Sequence, residues 1–282
     1  MTTHPMTPIT RDLSWRMFFR TIVARSYPRI IGQSRERTWI FFETFLPFLA
    51  TVGYIYVYRA INAPEDYIGF VVVGGAMTAF WLNVMWLMAS QLYWEKENGN
   101  LALFIMSPAS LMAILFGMAL GGMLATTLRA GVIIVLGSLL FGIKFVVVDF
   151  LQLFTVFVVT MAALYGLGML LSSLFLLWGR EAWQISLTLQ EPIYFVSGFY
   201  FPVKSFGFVT AAVSSLIPLT LGMDAMRQLV FASGKALGFI SVTHEIAVLI
   251  VLAFVFILAA KFWVNYMIRL AVKEGTLTDR RR

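Results

Sequence analysis

Of the 282 residues in the chain, 60% are hydrophobic and only 12% are charged, and the formal net charge is +7. Soluble domains carry about 25% charged residues, so this composition excludes a soluble globular protein and indicates an integral membrane protein. The apolar runs are continuous rather than alternating, which excludes a transmembrane β-barrel. We interpret the positive charge as cytoplasmic flanks against a lipid bilayer, with no nucleic-acid partner. The chain has no cysteine and two distant histidines, so no metal site is predicted.

The first element is an arginine-rich stretch within residues 1–38, which we interpret as a cytoplasmic N-terminus with an amphipathic interfacial helix. Its aromatic and aliphatic side chains would enter the headgroup boundary while its arginines meet lipid phosphates. The arginines assigned to this helix are Arg16, Arg20, Arg25 and Arg29. Arginines at this density inside a span would each cost several kcal/mol, so a span is excluded, and Pro28 is predicted to divide the helix.

Six apolar segments follow and form a single transmembrane domain over residues 39–266. The predicted spans are about 39–58, 68–93, 112–140, 150–177, 183–201 and 246–266. Between the last two spans, residues 202–240 contain apolar stretches that are too short to cross a bilayer, and these are predicted to be short re-entrant or extracellular helices. Residues 267–282 form a basic cytoplasmic tail. The predicted fold is therefore an all-α integral membrane protein.

The distribution of arginine and lysine near the span ends predicts the orientation of the chain. With the N-terminus inside, the inside flanks hold fourteen of these residues and the outside loops hold five. This count predicts a multi-pass protein with both termini cytoplasmic, and it places the polar segment at residues 94–110 in the cytoplasm. That segment is too short to be a domain, so it is predicted to present a surface to a partner.

Sequence motifs for nucleotide binding are missing from the chain. The Walker A pattern does not occur, and neither a dinucleotide-binding glycine fingerprint nor a zinc-protease motif is present. No catalytic residues are predicted, and the chain is not expected to be an enzyme by itself. If it carries out driven transport, the motor is a separate polypeptide.

The 94–110 segment reads E-K-E-N-G-N-L-A-L-F-I-M-S-P-A-S from Glu95 and resembles the cytoplasmic loop of the permease subunits of type-2 ABC exporters, which move drugs, lipids or polysaccharides. Their pattern is approximately E-x-E-x-G-T-L-E-x-L-x-x-(S/T)-P-(V/A)-S. In this chain Asn100 replaces the usual threonine and Ala102 replaces the usual glutamate. The matching residues are Glu95, Glu97, Gly99, Leu101, Ser107, Pro108 and Ser110.

Two later stretches resemble the same family, in the same order along the chain. The first, L-Q-E-P-I-Y-F-V-S-G-F-Y-F-P-V, is similar to the family's span into an extracellular turn. The second, S-L-I-P-L-T-L-G-M-D-A-M-R, is similar to a stretch before the last span. The aligned residues are Pro192, Ser197, Gly198, Phe201 and Pro202, then Pro218, Leu219, Thr220 and Arg227.

This resemblance implies that the 94–110 segment is a coupling helix that docks on a cytosolic nucleotide-binding subunit. Two permeases, identical or paralogous, and two ATPases would form the working unit, with ATP and Mg bound only by the ATPase, in the inner membrane of a prokaryote. From the residues alone, the alternative is a solvated loop that stays out of the bilayer. The residues assigned to coupling are Trp94, Glu95, Lys96, Glu97, Gly99, Leu101, Phe104, Ser107 and Pro108.

An aromatic group near the end of the fifth predicted span has two interpretations. One is a belt at the outer membrane interface. The other, which the resemblance suggests, is a hydrophobic gate between the fifth spans of two permeases. The residues assigned to the translocation path or gate are Tyr194, Phe195, Ser197, Phe199 and Tyr200.

Charged residues inside predicted spans are the remaining functional signal, because a charge within the bilayer is costly unless paired. One hypothesis is an ion pair between Arg129 and Glu191, and the alternative is that one of them faces the translocation path. Glu43 is expected to meet an arginine of the first helix, such as Arg35 or Arg37. Asp224 and Arg227, three residues apart, are predicted to form a local ion pair.

We therefore interpret the chain as the permease subunit of an ATP-driven exporter of an amphiphilic drug, lipid or glycoconjugate. A motor-independent channel or secondary transporter remains an alternative, although it predicts internal repeats that the sequence lacks. A further alternative is a membrane anchor for a cytosolic partner.

Overall fold

The computed structural model describes residues 15–178, 180–231 and 233–274, and these form helices joined by short connections, with no strand among them. The predicted ends of the cytoplasmic termini, residues 1–14 and 275–282, lie outside the described residues. The helices are α1 Trp15–Arg35, α2 Arg37–Ala60, α3 Glu65–Leu82, α4 Gln91–Glu97, α5 Asn100–Met106, α6 Leu111–Phe141, α7 Phe150–Trp178, α8 Arg180–Val196, α9 Phe208–Ser214, α10 Pro218–Val230, α11 Gly234–Leu237 and α12 Val242–Glu274. The all-α membrane fold is confirmed.

Five helical stretches of the described chain are long and apolar enough to cross a bilayer, and a bent pair could supply a sixth. The five are Ile40–Ala60, Glu65–Glu97, Leu111–Phe141, Phe150–Leu176 and Val242–Met267. The bent pair is α9 with α10, which meet at 113°. Helix α8, which corresponds to the fifth predicted span, has only 17 residues, fewer than the roughly 20 that a span requires.

Helix α3 is at the centre of the bundle. Its sequence is apolar on every side, as expected for a helix without a solvent-facing stripe, and every residue from Ile68 to Trp81 is buried. Gly74 and Gly75 allow two close approaches, because a Cβ at Gly74 would overlap the Phe199 carbonyl and a Cβ at Gly75 would overlap Thr51 of α2. The helical path continues through a π-helical turn at Asn83–Met88 into α4, and such turns are common at functional sites.

Helix α1 packs lengthwise against α6. A Cβ at Gly117 would lie 2.6 Å from the Ile22 carbonyl, and a Cβ at Gly121 would lie 2.7 Å from the Ser26 carbonyl. Since both contacts advance by four residues, the two helices run in the same direction. The prediction that Pro28 divides α1 is wrong, since α1 is continuous from Trp15 to Arg35; a single proline removes one hydrogen bond without stopping a helix that is packed along its length.

A second face of α1 carries an exposed apolar stripe at four-residue spacing. Trp15, Phe19, Val23 and Tyr27 are between 58% and 75% exposed. This is the face that the interfacial-helix prediction assigns to lipid.

The predicted re-entrant region, residues 202–240, folds into a 3₁₀ turn at Val203–Phe206 followed by α9, α10 and α11. All 13 residues of α10 are buried, because the helix lies among α3, α7 and α12. The connection before α7 is also tied to this region, since the amides of Val146 and Val148 donate hydrogen bonds to the carbonyls of Val230 and Leu229.

Candidate functional site

The 94–110 segment forms a tight helical hairpin between the central helical path and α6. Helix α4 ends at Glu97, the chain turns at Asn98 and Gly99, and α5 follows immediately. Gly99 has a φ of 77°, which L side chains rarely adopt. The glycine therefore makes this reversal possible.

The apolar side chains of α5 divide into an inward and an outward set. Leu101 and Phe104 are 1% and 6% exposed, and the guanidinium of Arg25 lies 4.1 Å from the centre of the Phe104 ring. Leu103 and Met106 are 60% and 59% exposed. Leu101 and Phe104 therefore hold the hairpin to its own chain. Leu103 and Met106, which were not among the predicted coupling residues, face outward.

The charged residues of the hairpin also differ in what they contact. Glu95 accepts hydrogen bonds from Gln91 at 2.9 Å and from Asn100 at 2.9 Å, so both of its oxygens are used within the hairpin. Asn100, which replaces the family's threonine, thus joins α4 to α5. Lys96 and Glu97 are partly exposed, and Trp94 is 53% exposed.

The end of the hairpin is a short turn before α6. The Ser107 hydroxyl accepts a hydrogen bond from the Ala109 amide at 3.2 Å, and Pro108 is exposed. A cleft of about 500 Å³ separates this turn and α5 from α1. Its lining includes Met17, Thr21 and Ala24 from α1 and Asn100, Leu103 and Pro108 from the hairpin.

The residues assigned to the gate are mostly enclosed within the chain. Ser197 and Phe199 are fully buried, Tyr194 and Tyr200 are 8% and 6% exposed, and Phe195 is 56% exposed. Tyr200 stacks on Tyr54, with ring centroids 3.9 Å apart, and its carbonyl accepts a hydrogen bond from Tyr58 at 3.0 Å.

Arg227 binds the backbone of the turn at residues 197–201. Its guanidinium donates hydrogen bonds to the carbonyls of Gly198 at 2.6 Å and of Phe70 and Phe199 at 2.8 Å. The predicted local ion pair between Arg227 and Asp224 is therefore wrong. Backbone carbonyls of three residues far away in the chain accept from its two terminal nitrogens instead, while its Nε has no acceptor among the described residues.

Asp224 has hydrogen-bond partners other than Arg227. Its carboxylate accepts hydrogen bonds from Gln228 at 3.1 Å and from the Phe239 amide at 2.7 Å. This contact ties α10 to the connection that leads into α12.

The intramembrane charges pair differently from the first hypothesis. Arg129 forms an ion pair with Glu43 of α2 and donates a hydrogen bond to Gln33 of α1 at 3.2 Å. An Arg129–Glu191 pair is thus wrong, and so is the expected pairing of Glu43 with Arg35 or Arg37. Glu191 is exposed on α8.

The four arginines of the predicted interfacial helix have separate environments. Arg16 and Arg20 are exposed, whereas Arg25 covers the Phe104 ring. Arg29 points into the protein, and this burial lowers the pKa of its guanidinium, an effect partly offset by Tyr165 and Glu95.

Sequence reasoning missed three polar residues close to these charges. The Tyr165 hydroxyl donates a hydrogen bond to Asn83 at 2.9 Å, and Gln33 contacts Arg129. An amide in the apolar run of the second span was a usable signal, because polar groups at membrane depth are rare and functional.

Comparison with known proteins gives one match. Residues 17–231, about three quarters of the chain, match the family described as ABC-2 type transporter. No curated protein and no solved structure matches the chain. The match includes the 94–110 hairpin and the Arg227 turn but stops before α12. The chain belongs to the ABC-2 type transporter family and is a membrane permease subunit of an ABC transporter.

Proposed function

We propose that this permease drives export by docking a separate ATPase subunit on the outward face of the 94–110 hairpin. The observation that carries the proposal is the exposure of apolar side chains on a hairpin whose other face is anchored to its own chain. Trp94, Leu103 and Met106 expose more than half of their surfaces. Aromatic anchors such as tryptophan carry much of the binding energy in protein interfaces, and the apolar groups around them exclude water.

The charged residues beside these side chains would orient the partner. Lys96 and Glu97 are partly exposed, whereas Glu95 is occupied by Gln91 and Asn100. Charges at the rim of an interface act on register and association rate more than on affinity. We therefore assign orientation to Glu97 and Lys96, and internal bracing of the hairpin to Glu95.

The hairpin is well placed to transmit movement into the bundle. It connects the helical path Glu65–Glu97, the most buried of the five candidate spans among the described residues, directly to α6. The inward contacts of Leu101 and Phe104 would resist bending of α5 under load. ATP and Mg would be bound by the partner subunit, whose closure would move both helices together.

We further propose that two permease copies and two ATPases form the working unit, with the path between the copies. Leu187, Glu191 and Phe195 share one exposed face of α8 at four-residue spacing. This face is more suitable for the path than the enclosed Phe199 and Tyr200. Its mixture of apolar surface and one carboxylate suits an amphiphilic drug, lipid or glycoconjugate. In a prokaryotic inner membrane, both termini and the hairpin would face the cytoplasm.

The test is ATPase coupling in a co-expressed complex. The wild-type chain should copurify with an ABC ATPase, and substitution of Leu103 by glutamate should abolish both copurification and permease-stimulated ATP hydrolysis. Glu97→Lys should weaken them, and deletion of residues 95–100 should remove them. The matched control is Leu216→Glu, since Leu216 is 63% exposed in the turn between α9 and α10.

Each variant must first show a wild-type elution profile, so that loss of coupling is not loss of folding. If the Leu103 and Glu97 variants and the deletion all retain coupled hydrolysis, the hairpin is not the docking surface. If no ABC ATPase copurifies with the wild-type chain, a motor-independent transporter or an anchor is favoured.

A further inference from the structure

We propose that the buried polar cluster between α1, α6, α7 and the π-helical turn binds the phosphate group of an anionic amphiphile. The cluster consists of Arg29 and Gln33 of α1, Asn83 of the π-helical turn, Arg129 of α6, Tyr165 of α7 and Glu43 of α2. None of these residues belongs to the 94–110 hairpin, so binding at this position can be measured on the chain without an ATPase.

Two adjacent glycines of α6 bring the cluster together. A Cβ at Gly121 would lie 2.8 Å from the Arg29 Cβ, and a Cβ at Gly122 would lie 2.8 Å from the Asn83 side-chain oxygen. Arg29 and Asn83 thus approach the same turn of α6 from α1 and from the central helical path. Arg129 lies about two turns further along α6.

Three N–H groups of the cluster have no acceptor among the described residues. They are Arg29 Nε, Gln33 Nε2 and Asn83 Nδ2. The orientation of each amide is determined by its oxygen, since Asn83 Oδ1 accepts from Tyr165 and Gln33 Oε1 accepts from Arg129. Asn83 is only 2% exposed. A buried donor left unsatisfied costs about 1–3 kcal/mol, so the arrangement favours a ligand that accepts hydrogen bonds.

The charge balance specifies an anion rather than a neutral acceptor. Arg129 is paired with Glu43, but among the described residues no carboxylate lies within ion-pair distance of Arg29. Glu95 is near enough to act on Arg29 electrostatically, yet both of its oxygens accept hydrogen bonds from Gln91 and Asn100. One guanidinium charge is therefore left without a contacting counter-ion.

A phosphate group supplies both the negative charge and the hydrogen-bond acceptors that the cluster lacks. Its oxygens carry negative charge and can accept from several directions, and arginine binds phosphate with two parallel hydrogen bonds. Arg29 and Gln33 are only partly buried, so the cluster reaches the surface of α1. The exposed stripe of Trp15, Phe19, Val23 and Tyr27 on that helix provides an apolar surface for acyl chains.

Native mass spectrometry of the full chain in detergent tests the ligand class. The probes are phosphatidylglycerol, diacylglycerol with the same acyl chains, and inorganic phosphate. We expect one phosphatidylglycerol to be retained and diacylglycerol to be lost. Displacement of the lipid by inorganic phosphate would identify a free anion as the ligand of the same site, and resistance to it would identify an amphiphile. Equal retention of diacylglycerol would overturn the proposal.

Variants locate the binding to the cluster. Asn83→Asp keeps the side-chain volume and the acceptor for Tyr165 but replaces the free donor with a negative charge, and Arg29→Met removes the unpaired cation. Each should weaken phosphatidylglycerol retention at least about tenfold, since a hydrogen bond to a charged group contributes about 1.5–3 kcal/mol. Arg29→Lys should retain part of the binding because it keeps the charge.

The matched control is Arg20→Met, which removes an exposed arginine from the same helix. Wild-type retention by this control, with loss in the Asn83 and Arg29 variants, is the expected result. Equal weakening by all three would indicate general attraction to a basic helix and would overturn the assignment. Wild-type retention by folded Asn83→Asp and Arg29→Met would also overturn it. The comparison of phosphatidylglycerol with diacylglycerol needs no variant, so it decides the ligand class even if a variant fails to fold.

Discussion

The hairpin at residues 94–110 and the turn at residues 197–201 both interrupt apolar helices and both carry family motifs. They differ in exposure, because the hairpin presents apolar side chains at the surface and the turn is enclosed. The hairpin holds its buried anchors Leu101 and Phe104 against its own chain and leaves Leu103 and Met106 exposed. The turn is enclosed by α3 and α10, with Arg227 bonded to its carbonyls. A family motif can therefore lie on an exposed surface or in a buried turn, and the direction of its side chains distinguishes the two.

This contrast predicts that changes around the turn act on folding, while changes in the hairpin act on coupling. The largest effect should come from Arg227→Met, which leaves three buried carbonyls without the guanidinium. We expect a loss of roughly 4 kcal/mol or no folded protein, measured by thermal unfolding and size-exclusion chromatography. Arg20→Met is the control and should unfold like wild type. A wild-type Tm for the Arg227 variant would show that the turn closes without this side chain.

A smaller loss of stability is expected from Gly74→Ala. The added Cβ would overlap the Phe199 carbonyl, so α3 and the turn must separate, and overpacking of this kind costs about 1–3 kcal/mol. Gly131→Ala in α6 is the control, since a Cβ there meets nothing within 4 Å. Thermal unfolding of both purified variants measures the difference. Equal Tm values would mean that the turn does not pack against α3 as described.

A third variant removes a single contact from the turn. Tyr58→Phe deletes the hydrogen bond to the Tyr200 carbonyl and should cost about 1 kcal/mol. Tyr56→Phe is a matched control, because Tyr56 on the same helix is 60% exposed. Denaturation curves should separate the two variants. If Tyr56→Phe is the more destabilising change, the hydrogen bond does not stabilise the turn.

The smallest effect on stability, and the sharpest test of the contrast, is expected in the hairpin. Asn100→Ala removes the bond to Glu95 and should change the free energy of unfolding by less than about 0.5 kcal/mol. Stimulated ATP hydrolysis should nevertheless fall, because α5 loses its link to α4. Asn98→Ala, at an exposed turn position, is the control. A stability loss as large as that of Arg227→Met would assign the hairpin to the folding core.

Prediction from sequence succeeded where the property is local. Continuous apolar runs indicated the long helices, and the polar segment at residues 94–110 indicated a connection between two of them. It failed at Pro28, where packing along α6 outweighs the loss of one helical hydrogen bond. It also failed at Arg129 and Arg227, because their partners lie far away in the chain. The Phe70 carbonyl, for example, is 157 residues from Arg227.

The all-α membrane class, the family and the position of the 94–110 connection follow from the sequence alone, because hydropathy, charge and motifs are properties of neighbouring residues. The packing of the helices exposes Leu103, encloses Phe199 and pairs Arg129 with Glu43 rather than with Glu191. It also brought Arg29, Asn83 and Gln33 together with unused donors. Burial and pairing depend on which helices meet in space. The spacing of residues along one helix does not specify which other helices it contacts.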